Sequence, residues 1–153
     1  MVIAESRIPG MSAKAGWATP MFHVKSIEDS LNFYELLGFK TIDTDKCGDE
    51  PLGWARMHCE GGAIMFLRAE DDVVIDPGKQ GVMLVMYTPD LPALREKLLA
   101  NNVRVSAIER PPYMPSGRVC LRDPDGYFIS VNHWGDKEHT AWLKRIGADE
   151  QKA

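Results

Sequence analysis

The chain has 153 residues, of which 44% are hydrophobic and 26% charged, and its formal net charge is −4. This is an ordinary globular composition, and a chain of this length buries about 70% of its unfolded surface without help from disulfides or metals. No basic block is long enough to follow a phosphate backbone, and no run of about 18 apolar residues occurs, so we expect neither nucleic acid nor a membrane as a partner.

The cysteines and the first residues together predict a cytoplasmic protein. Cys47, Cys59 and Cys120 are odd in number and lack the Cys-x-x-Cys spacing of zinc sites, which argues against a disulfide scaffold. The first residues lack the apolar core of a secretory signal. Residues 1–16 are rich in small residues and are predicted to form a tail or an arm that needs a partner surface.

Residues 17–69 are predicted to form a module of one strand, one helix and three further strands. The strand runs from Trp17 to Val24, and the helix that follows is capped by Ser26 and ended by Gly38. The remaining strands are predicted at three places: 39–43, 52–59 and 63–69. Two glycines between the last two strands indicate a hairpin.

The same pattern returns after residues 70–80, whose polar composition predicts a linker. In the second module, residues 81–134, Asp90 is predicted to cap a helix. Four strands are predicted around it: 82–87, 103–108, 118–122 and 127–134. Residues 123–126, Asp-Pro-Asp-Gly, are typical of a tight turn. Residues 135–153 are predicted as a C-terminal helix and tail within one overall domain.

The two halves repeat at an offset of about 64 residues, which aligns Gly62 with Gly126 and Leu67 with Val131. Fixed-period similarity of this kind indicates a duplicated βαβββ module. The alternative is an unrelated α+β domain whose halves are similar by chance.

Two segments carry a resemblance to a known superfamily: residues 22–39, FHVKSIEDSLNFYELLGF, and residues 122–131, RDPDGYFISV. They resemble the vicinal-oxygen-chelate superfamily of glyoxalase I, extradiol dioxygenases and bleomycin-resistance proteins, and are closest to its metal-free, bleomycin-resistance-like members. With the repeat, the resemblance covers residues 17–134. It implies an α+β fold of two tandem βαβββ modules that form a cup-shaped, curled mixed sheet, often completed across a homodimer. Because this scaffold hosts lyases, isomerases, dioxygenases, transferases and pure binders, the resemblance does not select a function.

Enzymes of this superfamily hold one divalent metal on the first and last strands of the modules. The four matching positions here carry no carboxylate, imidazole or amide: Thr19, Phe66, Val82 and Ser130. A slip of one residue in the register would place Met65, Met83 and Ile129 at three of these positions. Neither set suits a divalent ion, so we expect neither a metal nor another cofactor.

Strand alternation divides the side chains into a cup face and a face that packs against the helices. On this basis Ile64 and Phe66 are predicted on the cup face of the fourth strand, with Met65 and Leu67 towards the helix. In the first strand of the second module, the predicted cup residues are Val82, Leu84 and Met86, with Val85 towards the helices.

The cup face is expected to combine aromatic, methionine, arginine and histidine side chains, which suits a flat, partly anionic molecule. The predicted ligand-binding residues are Trp17, Thr19, His23, Trp54, Arg56, Phe66, Tyr113, Ser130 and Trp134. His23 matches a position at which glyoxalase I carries a ligand-binding arginine. The alternatives are core or interface packing for the tryptophans, an interface hydrogen bond for His23, and a rim charge or salt bridge for Arg56.

The first functional hypothesis is a metal-free protein that sequesters a planar aromatic compound and forms a homodimer, as in antibiotic resistance. The acidic net charge suits a cationic glycopeptide ligand. The second hypothesis is a glyoxalase-like lyase or dioxygenase-like enzyme with an atypical site. The third is a structural or regulatory dimer whose cup is filled by its own side chains.

Overall fold

The computed structural model describes residue 15 and residues 18–148, so Trp17 and nearly all of the predicted tail lie outside the described residues. Within them the predicted α+β class is confirmed, with two β-sheets. The chain divides into two compact units between Ile75 and Asp76, and each is described by itself. In the described part, no helix is long and apolar enough to cross a membrane.

The first unit has the predicted order of one strand, one helix and three strands. Its elements are β1 (Met21–Val24), α1 (Ile27–Leu36), β2 (Lys40–Thr44), β3 (Trp54–His58) and β4 (Ala63–Arg68). The sheet order is β1–β4–β3–β2, with β1 parallel to β4 and the other pairs antiparallel. The predicted cap is confirmed, since the Asp29 backbone N–H donates to Ser26 Oγ at 3.2 Å. Beyond α1, Gly38 adopts φ 94°, which glycine tolerates best.

The core of the first unit lies between α1 and one face of the sheet. Tyr34 of α1 is fully buried, and its ring centroid lies 5.0 Å from that of Phe66. Across the β3–β4 ladder, Ala55 pairs with Phe66 and Met57 with Ile64, so all four side chains share the helix side.

The predicted faces of β4 are therefore wrong. Arg56 pairs with Met65 across β3–β4, and Met21 pairs with Met65 across β1–β4, so Met65 lies on the side away from α1. Phe66 packs on the helix instead of lining the cup. We call the side of each sheet that faces away from its helix the open face. In the first unit it carries Thr19, Met21, His23, Trp54, Arg56, His58, Met65 and Leu67.

The second unit repeats this arrangement with a smaller sheet. Its elements are α2 (Pro77–Gln80), β5 (Met83–Thr88), α3 (Leu91–Ala100), β6 (Arg118–Arg122), β7 (Phe128–His133) and α4 (Asp136–Arg145). The order is β5–β7–β6, with β5 parallel to β7. The predicted cap of α3 is confirmed, because the Ala93 backbone N–H donates to Asp90 Oδ1 at 3.1 Å. The short α2 lies inside the segment predicted as a linker.

The strand predicted at 103–108 does not form. Two isolated bridges remain in its place, Val105 with Leu121 and Glu109 with Arg118. At Ser106 the backbone carbonyl accepts a hydrogen bond from Arg95 Nε at 2.8 Å, and its Oγ accepts one from the Cys120 backbone N–H at 2.9 Å. Side chains thus take backbone groups that a continuous ladder would use.

The second hairpin is one residue longer than the first. Residues 59–62 separate the paired His58 and Ala63, whereas residues 123–127 separate the paired Arg122 and Phe128. The longer turn is held by Asp123 Oδ1, which accepts the backbone N–H groups of residues 125 and 127, each at 2.9 Å. The repeat offset is therefore 64 residues before the hairpin and 65 after it.

Two predictions for the second unit are wrong. Leu67 and Asn132 pair with equivalent neighbours in their own sheets. Leu67 therefore corresponds to Asn132 and not to Val131. Val85 pairs with Ser130, so it lies on the open face, and the predicted cup residues Leu84 and Met86 face the helix side. The open face of this unit carries Met83, Val85, Tyr87, Arg118, Cys120, Arg122, Phe128, Ser130 and Asn132.

Candidate functional site

Arg56 organises the open face of the first unit. Its guanidinium donates to three neutral acceptors: His58 Nε2 at 2.8 Å, Thr19 Oγ1 at 3.2 Å and Met65 Sδ at 3.8 Å. Among the described residues it has no carboxylate partner. The salt bridge considered as an alternative for Arg56 is therefore absent there, and a half-buried cation is held in a fixed position.

His58 is neutral in this arrangement. Because Arg56 Nε–H donates to His58 Nε2, that nitrogen is an acceptor and the ring proton of the neutral form lies on Nδ1. Desolvation, followed by the charge of Arg56, lowers the pKa of His58 below its ordinary value of 6.5. His58 was not among the predicted binding residues. The available signal was its spacing of two from Arg56, which places both side chains on one face of a strand.

We expect the protonation of His58 beside Arg56 to lower the stability of the fold at acidic pH. Because the pKa of His58 is lower in the folded state, the His58 ring is protonated first in the unfolded chain as the pH falls below 6.5. The free energy of unfolding therefore decreases with falling pH until the folded-state pKa is passed. Replacing Arg56 with glutamine should raise the pKa of His58 part of the way towards its ordinary value. An NMR titration of the His58 ring protons measures this, with Arg145→Gln on α4 as the control. An unchanged pKa in Arg56→Gln would contradict the expected coupling.

An indole and an imidazole lie on the same open face as Arg56. Trp54 is half-buried, and its backbone N–H donates to Asp45 Oδ1 at 3.0 Å, which anchors the start of β3. His23 of β1 and Trp54 of β3 each pair with Leu67 of the intervening strand. Thus Thr19, His23, Trp54 and Arg56 share one face, as predicted, while Phe66 does not.

Two predicted residues of the second unit have separate surroundings. Tyr113 lies in the loop before β6 and is 69% exposed, with the Arg118 guanidinium 5.5 Å from its ring centroid. Ser130 is buried on the open face of β7, and its hydroxyl donates to Asn132 Oδ1 at 3.0 Å.

Trp134 belongs to an aromatic cluster at the start of α4. Its Nε1–H donates to His139 Nδ1 at 3.3 Å, and its ring lies 5.5 Å from Tyr87 and 6.2 Å from Trp142. These contacts match the packing alternative given for the tryptophans.

The strand positions that hold a divalent metal in the enzymes named above do not fit one here. With the observed register the matching residues are Thr19, Met65, Met83 and Ser130. Two hydroxyls and two thioethers supply no charge to offset the dehydration of a divalent ion. Across the described residues, no group of three or more His, Cys, Asp or Glu side chains could hold a metal.

Known proteins are similar to this chain over most of its length. The family profile described as "Glyoxalase/Bleomycin resistance protein/Dioxygenase superfamily" matches residues 18–131. A bleomycin-binding protein complexed with bleomycin superposes with a TM-score of 0.60 at 20% identity, covering 77% of this chain and 98% of its own. An antibiotic-binding protein from a Streptomyces species superposes with a TM-score of 0.56 at 22% identity, covering 80% of this chain and 98% of its own.

Lactoylglutathione lyase from Agrobacterium tumefaciens is also similar, with a TM-score of 0.56 at 15% identity, covering 76% of this chain and 92% of its own. No curated protein matches the sequence. At these identities the likeness to the solved structures shows the fold alone, and it extends to binders and to a lyase.

Proposed function

The chain belongs to the glyoxalase/bleomycin resistance protein/dioxygenase superfamily, and from this premise we propose that it is a metal-free protein that sequesters a planar aromatic small molecule. The observation that carries the proposal is the open face of the first unit. There the acceptors of Arg56 within the described part of the chain are all neutral, and Trp54 lies on the same face of the same strand. An indole supplies a stacking surface, and the guanidinium supplies donors for a polar substituent.

The local charge favours an acceptor-bearing ligand over the cationic glycopeptide suggested by the net charge of −4. A carbonyl or carboxylate on the ligand can replace the weak Arg56–Met65 contact of 3.8 Å with a shorter, charge-assisted hydrogen bond. A cationic substituent beside Arg56 is repelled. Thr19, His23 and Trp54 remain the proposed contacts around Arg56.

A homodimer is part of the proposal. On the open face of the second unit, the β5 residues Met83, Val85 and Tyr87 are 50%, 40% and 59% exposed. When a second copy of the chain packs against this row of apolar side chains, the row is removed from water. The bleomycin-binding and antibiotic-binding neighbours support an antibiotic-like ligand. A role in resistance and a cytoplasmic location, the latter expected from the cysteines, complete the proposal.

Binding of acridine, a planar heteroaromatic compound, tests the proposal. We expect acridine to quench tryptophan fluorescence and to bind in titration calorimetry at slightly alkaline pH. Replacing Trp54 by alanine should weaken binding by about three- to tenfold, because stacking on an aromatic ring contributes about 0.5–1.5 kcal/mol. Trp142→Ala, which removes the same side chain from α4, is the matched control and should change affinity less than about twofold. Equal losses in both variants would contradict the proposal.

The enzyme alternative predicts a different outcome. We expect protein purified without chelator to contain no stoichiometric zinc, nickel or iron, since the four strand positions lack suitable ligands. A stoichiometric metal, together with a lyase or dioxygenase activity lost on adding chelator, would favour the enzyme. Failure of acridine and bleomycin alike to bind would favour the structural dimer.

A further inference from the structure

The second unit contains a cavity of about 470 Å³ beside β6 that has no role in the function proposed above. Arg104 and Ser106 line it from the segment that fails to form a strand, and Cys120, Arg122 and Phe128 line it from the open face. The volume lies within the range of sites for small organic ligands, about 300–1,000 Å³. We propose that this cavity binds an aromatic carboxylate, with the ring against Phe128 and the carboxylate paired with Arg104 and Arg122.

The charges around the cavity are unbalanced. In residues 18–148, neither Arg104 nor Arg122 has a carboxylate partner, whereas the nearby Arg118 is paired with Glu109. Arg122 Nη1 donates to the Gly126 carbonyl at 2.8 Å, so its charge is positioned but not neutralised. Two cations that line one cavity repel each other, and a bound anion relieves this repulsion.

The aromatic surface adjoins one of these charges. Arg122 and Phe128 are cross-strand partners in the β6–β7 ladder, and the guanidinium carbon lies 5.5 Å from the centroid of the Phe128 ring. Paired strands hold the ring and the cation at a fixed separation. A ligand with a flat ring and an attached carboxylate matches this pair, because arginine binds carboxylates with two parallel hydrogen bonds.

The broken ladder explains why the cavity exists. In the first unit, β2 pairs with β3 along this edge, whereas in the second unit two isolated bridges take its place. The bonds of Ser106 to Arg95 of α3 and to Cys120 of β6 hold the segment against both elements without a continuous ladder. The Cys120 thiol lines the space, and desolvation by burial raises its pKa, so it adds no competing negative charge.

Naphthoate and its neutral analogue naphthamide test the charge requirement. By titration calorimetry we expect naphthoate to bind at least about tenfold more tightly than naphthamide. Arg104→Gln and Arg122→Gln should each weaken naphthoate binding by about tenfold and affect naphthamide little. Arg110→Gln removes an exposed arginine that does not line the cavity, and should change affinity less than about twofold. Equal affinity for the two compounds, or an equal loss in Arg110→Gln, overturns the proposal.

Thiol labelling locates the ligand in the unaltered protein. Naphthoate should slow the modification of Cys120 by N-ethylmaleimide and should not affect the modification of the exposed Cys47. Peptide mass spectrometry measures both rates. An unprotected Cys120 overturns the proposal. The outcome is separable from the function proposed above: if acridine fails to bind while naphthoate protects Cys120, the first-unit site is wrong and this one stands. Trp54→Ala should leave the protection unchanged.

Discussion

Replacing Phe66 by alanine is expected to lower the free energy of unfolding by about 3–5 kcal/mol, because a buried phenylalanine leaves both lost transfer energy and a cavity. Phe66 is fully buried, and its ring lies 5.0 Å from that of Tyr34 in α1. The adjacent Met65→Ala should cost only about 1 kcal/mol, since Met65 is half-buried on the open face. Urea denaturation followed by circular dichroism measures both values.

Neighbouring residues on one strand make this a test of orientation. If Phe66 lined a cup, as alternation from the sequence predicted, its removal would cost less than removal of a helix-facing Met65. A larger loss for Met65→Ala would therefore restore the sequence-based assignment of the β4 faces.

In the second unit, Ile129→Ala is expected to cost about 2–5 kcal/mol. Ile129 is fully buried on the helix side of β7, where its cross-strand partner is Leu121. The following residue is the matched control. Ser130→Ala removes one hydroxyl and its hydrogen bond to Asn132, which should lower the free energy of unfolding by about 1 kcal/mol. Chemical denaturation monitored by tryptophan fluorescence provides the comparison.

The two experiments together test the extra residue in the second hairpin. A constant offset of 64 would equate Ile129 with Met65 and Ser130 with Phe66, so Ile129 would be the tolerant position. With an offset of 65 after the hairpin, Ser130 is the counterpart of Met65, and Ile129 the residue that the core requires. A greater loss in Ser130→Ala than in Ile129→Ala would contradict the inserted residue.

The observed register of β4 and β5 also bears on the site. It puts Met65 and Met83, in place of the predicted Phe66 and Val82, at the strand positions that hold a metal in related enzymes. Thioethers are no better than apolar side chains for a hard divalent ion. The chemical expectation at these positions is thus unchanged, although two of the four residues that carry it are different.

Features that depend on a few consecutive residues could be predicted from the sequence. The caps at Ser26 and Asp90 close hydrogen bonds to backbone groups three residues away, and Gly38 ends its helix through its own backbone conformation. The repeat and the two family segments indicated the fold because they preserve the order of such local elements. On the open face, the strand positions of Thr19, His23, Trp54 and Arg56 follow from simple alternation.

Only the tertiary structure decided the faces of β4 and β5, the extra residue before β7, the loss of the strand at 103–108, and the contacts that make up the two sites. A shift of one residue along a strand reverses the face of each of its side chains, and the glycine spacing at the hairpins does not reveal such a shift. The bond of Arg56 to Thr19 and that of Cys120 to Ser106 join groups that lie 37 and 14 residues apart in the sequence. Their formation depends on which groups the folded sheet brings within reach, and this requires the pairing of distant segments rather than local preference.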